Sequence, residues 1–208
     1  RNLPVAQPQL VEIASALAVV GCHVLSAENS DGVLRGAVGE DLGLLVIGLS
    51  APELAAWPTL RVLCESPELG GIPVVLVITA AEGTKGIAVP LTGLVSKPFT
   101  RARLAHVANR AGLDAEDRHA LVLEDDDGMR DIAARLLALD GWEVARASTA
   151  EQALQLIETL PPDLVLLDPL FGDGAGVRFL AALRGNPMWS SVPVAAMTET
   201  QLSPSRLT

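Results

Sequence analysis

The sequence contains few aromatic residues and few cysteines. Aromatic side chains make up 3% of the 208 residues and tyrosine is absent, so a core must be built from Leu, Val, Ile and Ala. Cys22 and Cys64 lie in apolar surroundings, and we expect buried free thiols of a reducing compartment rather than a disulfide. No apolar run approaches the roughly 18 residues of a membrane span, and no signal peptide opens the chain. These absences predict a cytoplasmic protein that does not interact with a membrane.

Basic residues are scarce in the second half of the chain. Residues 114–208 carry 7 Lys and Arg against 16 Asp and Glu, whereas residues 1–113 carry 8 against 9. An acidic surface repels phosphate backbones, which argues against nucleic-acid binding by this segment. The carboxylates suggest a cation site instead. The chain starts at Arg1 without Met, and we expect it to be part of a larger protein.

The chain repeats itself. With Gly21 set beside Gly141, the two halves run in step without a gap to Pro73 beside Pro193. LLVIG then matches LVLLD, and GGIPVVLVI matches SSVPVAAMT. A repeat in a chain of this length predicts two domains. We place the first at 1–112, a linker at 113–118 and the second at 119–208.

The second copy alternates strands and helices. Apolar strands are predicted at 120–125, 142–147, 163–168 and 192–198, with a helix after each of the first three. We expect Asp126 and Asp127 to cap the first helix, which presents Ile132 to the core, and Gly141 to end it. Ser148 or Thr149 is expected to cap the second helix. This order indicates a parallel sheet covered by helices on both faces.

Polar side chains end three of these strands. Asp125, Asp168 and Thr198 all fall at the carboxyl edge of a parallel sheet, where ligands bind. The first copy continues into a fifth strand, LVSKPF at 94–99, and a closing helix at 100–112. The second copy ends before any equivalent of Lys97, which the repeat places near position 217. We therefore expect its sheet to lack the last strand and helix.

Four motifs in order, LVLEDDDGMR, DLVLLDP, the glycine at 176 and PVAAMT, resemble the receiver domain of two-component response regulators. LVSKPF in the first copy is similar to the closing Lys-Pro motif of that family. The resemblance implies an α/β fold with two doubly wound, five-stranded parallel sheets of flavodoxin-like order 2-1-3-4-5. The second of them would lack its last strand and helix.

The resemblance also implies roles for residues of the second copy. Asp168 would be the phosphoacceptor, and Thr198 would hydrogen-bond the phosphoryl oxygen and register the modification. Mg²⁺ would be bound by Glu124, Asp125, Asp168 and the backbone carbonyl of Leu170. Such carboxylates raise each other's pKa values unless a cation lies among them, and Mg²⁺ prefers oxygen ligands.

Two residues near the acceptor depart from the family pattern. Pro169 follows Asp168 directly, and Gly172 stands where the family usually has proline. The matching lysine is also missing from the second copy. These departures favour inefficient phosphorylation of this copy.

The first copy resembles a degenerate pseudo-receiver. Gly48 replaces the acceptor, Pro4 and Val5 replace the acids, and Ile78 faces Thr198 in the alignment. Such a copy would act through contacts with the neighbouring receiver, a kinase core or a small ligand.

A basic cluster in the first copy has two readings. Lys97, Arg101 and Arg103 would either bind a phosphorylated or nucleotide ligand, or form the solvated start of a helix.

By resemblance, the leading hypothesis is a phosphorelay segment of a hybrid sensor histidine kinase, phosphorylated by a histidine kinase or phosphotransfer domain. The segment is a phosphoacceptor rather than an enzyme, and a dimer is compatible with it. One alternative is a response regulator with a downstream output domain, and another is a scaffold that is never phosphorylated. A metal-dependent phosphohydrolase would carry a second Asp where Leu170 stands.

Overall fold

The computed structural model describes residues 8–27, 32, 42–50, 72–79, 87–109, 118–169, 171–172 and 175–199. Five helices lie within this part of the chain: α1 (Pro8–Val19), α2 (Arg101–Asn109), α3 (Asp127–Ala138), α4 (Ala150–Thr159) and α5 (Ala175–Gly185). Eight strands accompany them: β1 (Leu45–Ser50), β2 (Val74–Thr79), β3 (Ile87–Leu91), β4 (Gly93–Lys97), β5 (Arg118–Leu123), β6 (Trp142–Ala147), β7 (Leu164–Leu167) and β8 (Val194–Glu199).

Five of these strands form one parallel sheet in the order β4-β8-β7-β5-β6. Its middle strand, β7, is apolar and fully buried and consists of Leu164, Val165, Leu166 and Leu167. Strands covered on both faces read as continuous apolar runs. The predicted flavodoxin-like order, read from β6 to β4, is confirmed.

The strand at the end of this sheet differs from our expectation. We expected the second copy to lack its last strand and helix. In the structure β4, which we had assigned to the first copy, pairs in parallel with β8 and fills the fifth place. The pairing sets Leu94 beside Ala196 and Ser96 beside Thr198. The five-stranded sheet therefore spans the boundary that we predicted at 112.

The other three strands form a smaller sheet in the order β1-β2-β3. β1 and β2 run parallel, and β3 pairs antiparallel with β2. Five parallel strands were predicted for the first copy, but the described residues of this half contribute three strands to its own sheet. Residues Ile87–Leu91, which lie within a stretch of sequence whose Gly and Pro content is unfavourable for a regular helix, form β3.

The two sheets are connected by a single residue. Thr92 lies between β3 and β4, and its backbone N–H donates to the carbonyl of Val194 in β8 at 2.7 Å. Leu91 of β3 is buried in the same apolar cluster as Leu167 and Val194. The smaller sheet thus shares a core with one face of the larger sheet.

Helix α2 covers the other face near β4. Its Leu104 and Val107 are buried in a second apolar cluster with Val95, Val122 and Met197. Burial of such side chains contributes roughly 1.5–3 kcal/mol each relative to exposure. The end of the first half of the chain is therefore packed into the core of the second.

Local signals in the second copy were read correctly. Asp126 is the N-cap of α3 and accepts a hydrogen bond from the Met129 N–H, and Thr149 caps α4 by accepting from the Gln152 N–H. Gly141, with φ +84°, follows α3 as the predicted stop. Such a positive φ strains residues that carry a Cβ.

Two predictions about burial were wrong. Helix α3 buries Ala133, Ala134 and Leu137, whereas Ile132, which we expected to face the core, is 44% exposed. Cys22 is a free thiol as predicted, but it is exposed. Cys64 lies outside the described residues. No described helix has both the length and the apolar composition needed to cross a bilayer.

Candidate functional site

The carboxyl edge of the five-stranded sheet carries an unusual group of buried side chains. Among the described residues, the buried polar or charged side chains are Ser96, Lys97, Glu124 and Asp168, with 5%, 5%, 0% and 1% of their surface exposed. Lys97 ends β4, Glu124 follows β5 and Asp168 follows β7. Because these strands are parallel, their carboxyl ends meet on one edge.

The Lys97 ammonium lies between the two carboxylates. Its Nζ is 2.7 Å from Oδ2 of Asp168, a hydrogen bond, and 2.5 Å from Oε2 of Glu124. The Lys97–Pro98 peptide bond is cis. A buried ion pair is stable only where charges and hydrogen bonds compensate desolvation, and here one cation serves two anions.

Burial raises the pKa of Glu124 to about 7, an effect that Asp168 strengthens and Lys97 opposes. Burial also opposes the charge on Lys97, but Asp168 and Glu124 outweigh it and raise the pKa of Lys97 above its ordinary value. Near pH 7 the carboxyl of Glu124 therefore exists in both protonation states, while Lys97 stays charged. Oε2 of Glu124 makes no hydrogen bond of good geometry despite its short distance to Lys97.

A second cation holds the acidic loop after β5. Arg130 of α3 donates to the backbone carbonyl of Glu124 at 2.9 Å and pairs with Asp127. The backbone N–H of Asp126 donates to Oε1 of Glu124 at 3.2 Å. These contacts fix Glu124 against the start of the helix, while the side chain of Asp125 is exposed.

The structure brings some of the predicted site residues together but not all of them. Glu124 and Asp168 are joined through Lys97, and Asp125 lies on the same edge. Thr198 lies in β8 beside Ser96, so its backbone is at this edge. Leu170 lies outside the described residues. Within the part of the chain that is described, no three Asp, Glu, His or Cys side chains converge as a metal cluster.

Lys97 is the site residue whose role sequence reasoning missed. Because the repeat assigned Lys97 to the first copy, we expected it to bind a phosphorylated or nucleotide ligand or to lie at a solvated helix start, and not to contact Glu124 and Asp168. The sequence did hold a signal for this role. LVSKPF has the pattern of a last strand, and the second copy lacked a last strand of its own. Arg101 and Arg103 have structural partners, since Arg101 pairs with Asp140 at 2.7 Å and Arg103 donates to Ser96 at 2.5 Å.

The residues around the departures from the family pattern are partly described. Pro169 is buried directly after Asp168, Phe171 is 2% exposed, and Gly172 has φ +52°. A Cβ added at Gly176 would lie 2.7 Å from the carbonyl oxygen of Pro169. The first turn of α5 can therefore approach the segment that follows Asp168 only because residue 176 is glycine.

Comparisons with known proteins agree with this geometry. Residues 120–207 match the family described as the response regulator receiver domain. The KDP operon transcriptional regulatory protein KdpE of Escherichia coli (strain K12) is 35% identical over 80 residues, covering 38% of this chain and 34% of KdpE. The phosphate regulon transcriptional regulatory protein PhoB of the same organism is 30% identical over 81 residues, covering 39% of this chain and 35% of PhoB.

A solved structure with detectable similarity is the N-terminal domain of a response regulator receiver protein from Methanoculleus marisnigri JR1. It is 29% identical, with a TM-score of 0.38, and the match covers 42% of this chain and 71% of that one. The chain spans about a third of the length of the curated relatives KdpE and PhoB. The match to residues 120–207 supports one response regulator receiver domain in this part of the chain, and β5, β6, β7 and β8 supply four of the five strands of the larger sheet.

Proposed function

We propose that Asp168 accepts a phosphoryl group from a phosphohistidine of a histidine kinase or phosphotransfer domain. A carboxylate oxygen of Asp168 attacks phosphorus, the N–P bond breaks, and the imidazole nitrogen leaves with the electron pair and takes up a proton. The observation that carries the proposal is the buried pair between Asp168 and Lys97 at 2.7 Å. A charge that ends a buried strand is costly without such a partner.

Lys97 provides the positive charge that the acyl phosphate needs. Its ammonium already contacts the carboxylate that would be modified. Phosphorylation adds negative charge and acceptor oxygens at that carboxylate, and a charge-assisted hydrogen bond to a phosphoryl oxygen is among the stronger kinds. We therefore assign Lys97 to the site, in place of the equivalent near position 217 that we had expected.

Mg²⁺ belongs to the same proposal, because the side chains at this edge have the chemistry that it prefers. Glu124, Asp125 and Asp168 would hold it, together with the backbone carbonyl of Leu170. The fit rests on the chemistry of this donor set, since the carboxylates of Glu124 and Asp168 are buried at one edge of the sheet and Asp125 directly follows Glu124. When bound, the ion would offset negative charge at the arriving phosphoryl group. Glu124 would then stay ionised at neutral pH.

Thr198 and the upstream half would report the modification. Thr198 is the register partner of Ser96 in the β4–β8 pairing, and Ser96 directly precedes Lys97 in β4. We propose that it binds a phosphoryl oxygen. For the upstream residues outside β4 and α2 we propose a pseudo-receiver role through contact, since Gly48 stands where Asp168 stands in the repeat.

For the parent protein, the names of the relatives favour a response regulator with an output domain over a hybrid histidine kinase. KdpE and PhoB are transcriptional regulatory proteins. Incubation of the full-length protein with labelled ATP separates the two. A hybrid kinase labels itself, whereas a regulator is labelled only by a phosphodonor.

Intact-mass analysis after treatment with acetyl phosphate and Mg²⁺ tests the central proposal. One phosphoryl group should be added, and Asp168→Asn should abolish the addition. Asp163→Asn is the matched control, because Asp163 precedes the same strand at its opposite end and accepts the His119 N–H at 2.9 Å. EDTA should prevent the addition if Mg²⁺ is required. A wild-type protein that stays unmodified, even with a phosphohistidine donor, would instead support the scaffold function.

A further inference from the structure

We infer that the segment 93–109, upstream of the family match, is an integral part of the receiver domain and supplies its cation from the other half of the repeat. The chemical part of this inference rests on the proposed function, whereas the structural part does not. It makes the reacting unit of this protein 93–199 rather than the matched residues alone.

The first argument is the completeness of the sheet. β8 has β7 on one side and β4 on the other. Without β4, the backbone groups of β8 and the fully buried Ala195 and Met197 would form an exposed apolar edge. Such an edge is a template for pairing with other chains, and β4 protects it along five residues.

The second argument is the packing behind β4. Helix α2 buries Leu104, Val107 and Ala108 in the cluster that contains Ala120, Val122 and Leu166 of the matched receiver. Gly93 allows β4 and α2 to approach each other closely, since a Cβ added at Gly93 would lie 2.8 Å from Cγ2 of Val107. The apolar side chains of α2 are therefore buried against the core of the receiver.

The segment 93–109 also places positive charges beside acidic residues of the receiver. Arg101 at the start of α2 pairs with Asp140, which follows α3, and also donates to the carbonyl of Leu139 at 3.1 Å. At the carboxyl end of β4, Lys97 meets Glu124 and Asp168. The segment therefore brings Lys97 and Arg101 next to three acidic residues, Glu124, Asp168 and Asp140. Residues 114–208 carry 16 acidic and 7 basic residues.

A pair of engineered cysteines tests where β4 pairs. Leu94 and Ala196 are register partners and pack in one apolar cluster. Paired strands lie about 4.8 Å apart, which is within the separation of roughly 4.4–6.8 Å that a disulfide bridges. In the full chain with Cys22→Ser and Cys64→Ser, we expect Leu94→Cys/Ala196→Cys to form an intramolecular disulfide under mild oxidation.

The matched control asks whether β4 belongs to its own half instead. The repeat sets Leu76 where Ala196 stands, but in the structure Leu76 pairs with Ile47 and Val89. Leu94→Cys/Leu76→Cys should therefore cross-link poorly. Efficient cross-linking of this control, or an Ala196 cross-link that joins two chains into a covalent dimer, would overturn the assignment.

Phosphorylation of the cross-linked protein tests the chemical part. The oxidised Leu94→Cys/Ala196→Cys protein keeps β4 on β8, so it should accept a phosphoryl group from acetyl phosphate as well as its reduced form does. Loss of acceptance in the oxidised form alone would overturn the claim that Lys97 acts from this position. If neither form accepts a phosphoryl group while the disulfide forms, the proposed function fails and the strand assignment stands.

Discussion

The two sheets of this protein are built from similar apolar strands but differ in what they bury. In the described part of β1, β2 and β3, every buried side chain is hydrophobic, whereas the five-stranded sheet buries Lys97, Glu124 and Asp168 at its carboxyl edge. β1 has Gly48 at the position that the repeat assigns to Asp168. Because buried charges are costly, their retention in only one sheet indicates where the chemistry of this chain lies.

The largest expected effect comes from removing the shared cation. Lys97→Met removes the cation that the buried carboxylates of Glu124 and Asp168 share, and the loss of one partner of a buried ion pair typically costs about 3–5 kcal/mol. Urea unfolding at pH 8 measures it. Arg101→Met is the control, since Arg101 is 57% exposed and an exposed pair contributes about 0–1 kcal/mol. Equal losses of stability in the two variants would show that the buried charges around Lys97 matter no more to the fold than an exposed ion pair.

The next effect concerns the close approach beside the acceptor. Gly176→Ala places a Cβ 2.7 Å from the carbonyl oxygen of Pro169, and we expect a loss of about 1–3 kcal/mol from overpacking. Phosphoryl acceptance should also decrease, because the backbone after Asp168 must shift. Gly185→Ala, at the end of the same helix with no atom within 4 Å, should leave both thermal unfolding and acceptance unchanged. A harmless Gly176→Ala would contradict the packing described here.

The buried acid Glu124 predicts that the stability of the five-stranded sheet depends on pH. The pKa of Glu124 is raised from 4.5 to about 7, so the folded protein binds this proton more tightly than the unfolded chain does. Its contribution to stability is present below pH 4.5 and is lost as the pH rises to about 7, by an amount on the order of 3 kcal/mol.

Glu124→Gln should remove this part of the pH profile. The measurement is urea unfolding of both proteins in EDTA at several pH values. The two curves should differ most in slope between pH 4.5 and about 7. Parallel curves across that window would show that Glu124 does not titrate there.

The smallest effect is expected where α2 packs on β4. Gly93→Ala brings a Cβ within 2.8 Å of the branched end of Val107, but β4 is an edge strand of its sheet, so we expect a loss of about 1 kcal/mol, the low end for overpacking. Gly43→Ala, beside the smaller sheet with no atom within 4 Å, is the control. A melting temperature that falls only in the control variant would reverse the comparison.

Much of the receiver was predictable because its signals are local. The apolar runs of β5 and β7, the Asp126 cap and the stop at Gly141 depend on neighbouring residues, and they appear where the sequence indicated. Ile132 was misassigned because α3 buries small residues, Ala133 and Ala134, against the sheet. A hydrophobic pattern alone does not reveal which side of a helix must approach most closely.

The origin of the fifth strand was not predictable in the same way. β4 is compatible with either half of a repeat, and its choice depends on contacts that are distant in sequence, namely Ala196 and the carboxylates of Glu124 and Asp168. The sequence repeat predicted that β4 would join the strands of the first half. Pairing energy and charge compensation favoured the sheet that lacked a strand and carried unpaired acids.

The single residue between β3 and β4 has a further consequence for cooperativity. One residue of extended chain spans about 3.3 Å, and the N–H of Thr92 is bonded to Val194. The two sheets therefore cannot move apart by more than about one residue's length without breaking strand pairs in at least one of them. Leu91 and Val194 also share a core, so the melting of either sheet exposes apolar surface of the other. The sheets consequently gain or lose their stability together, as one folding unit.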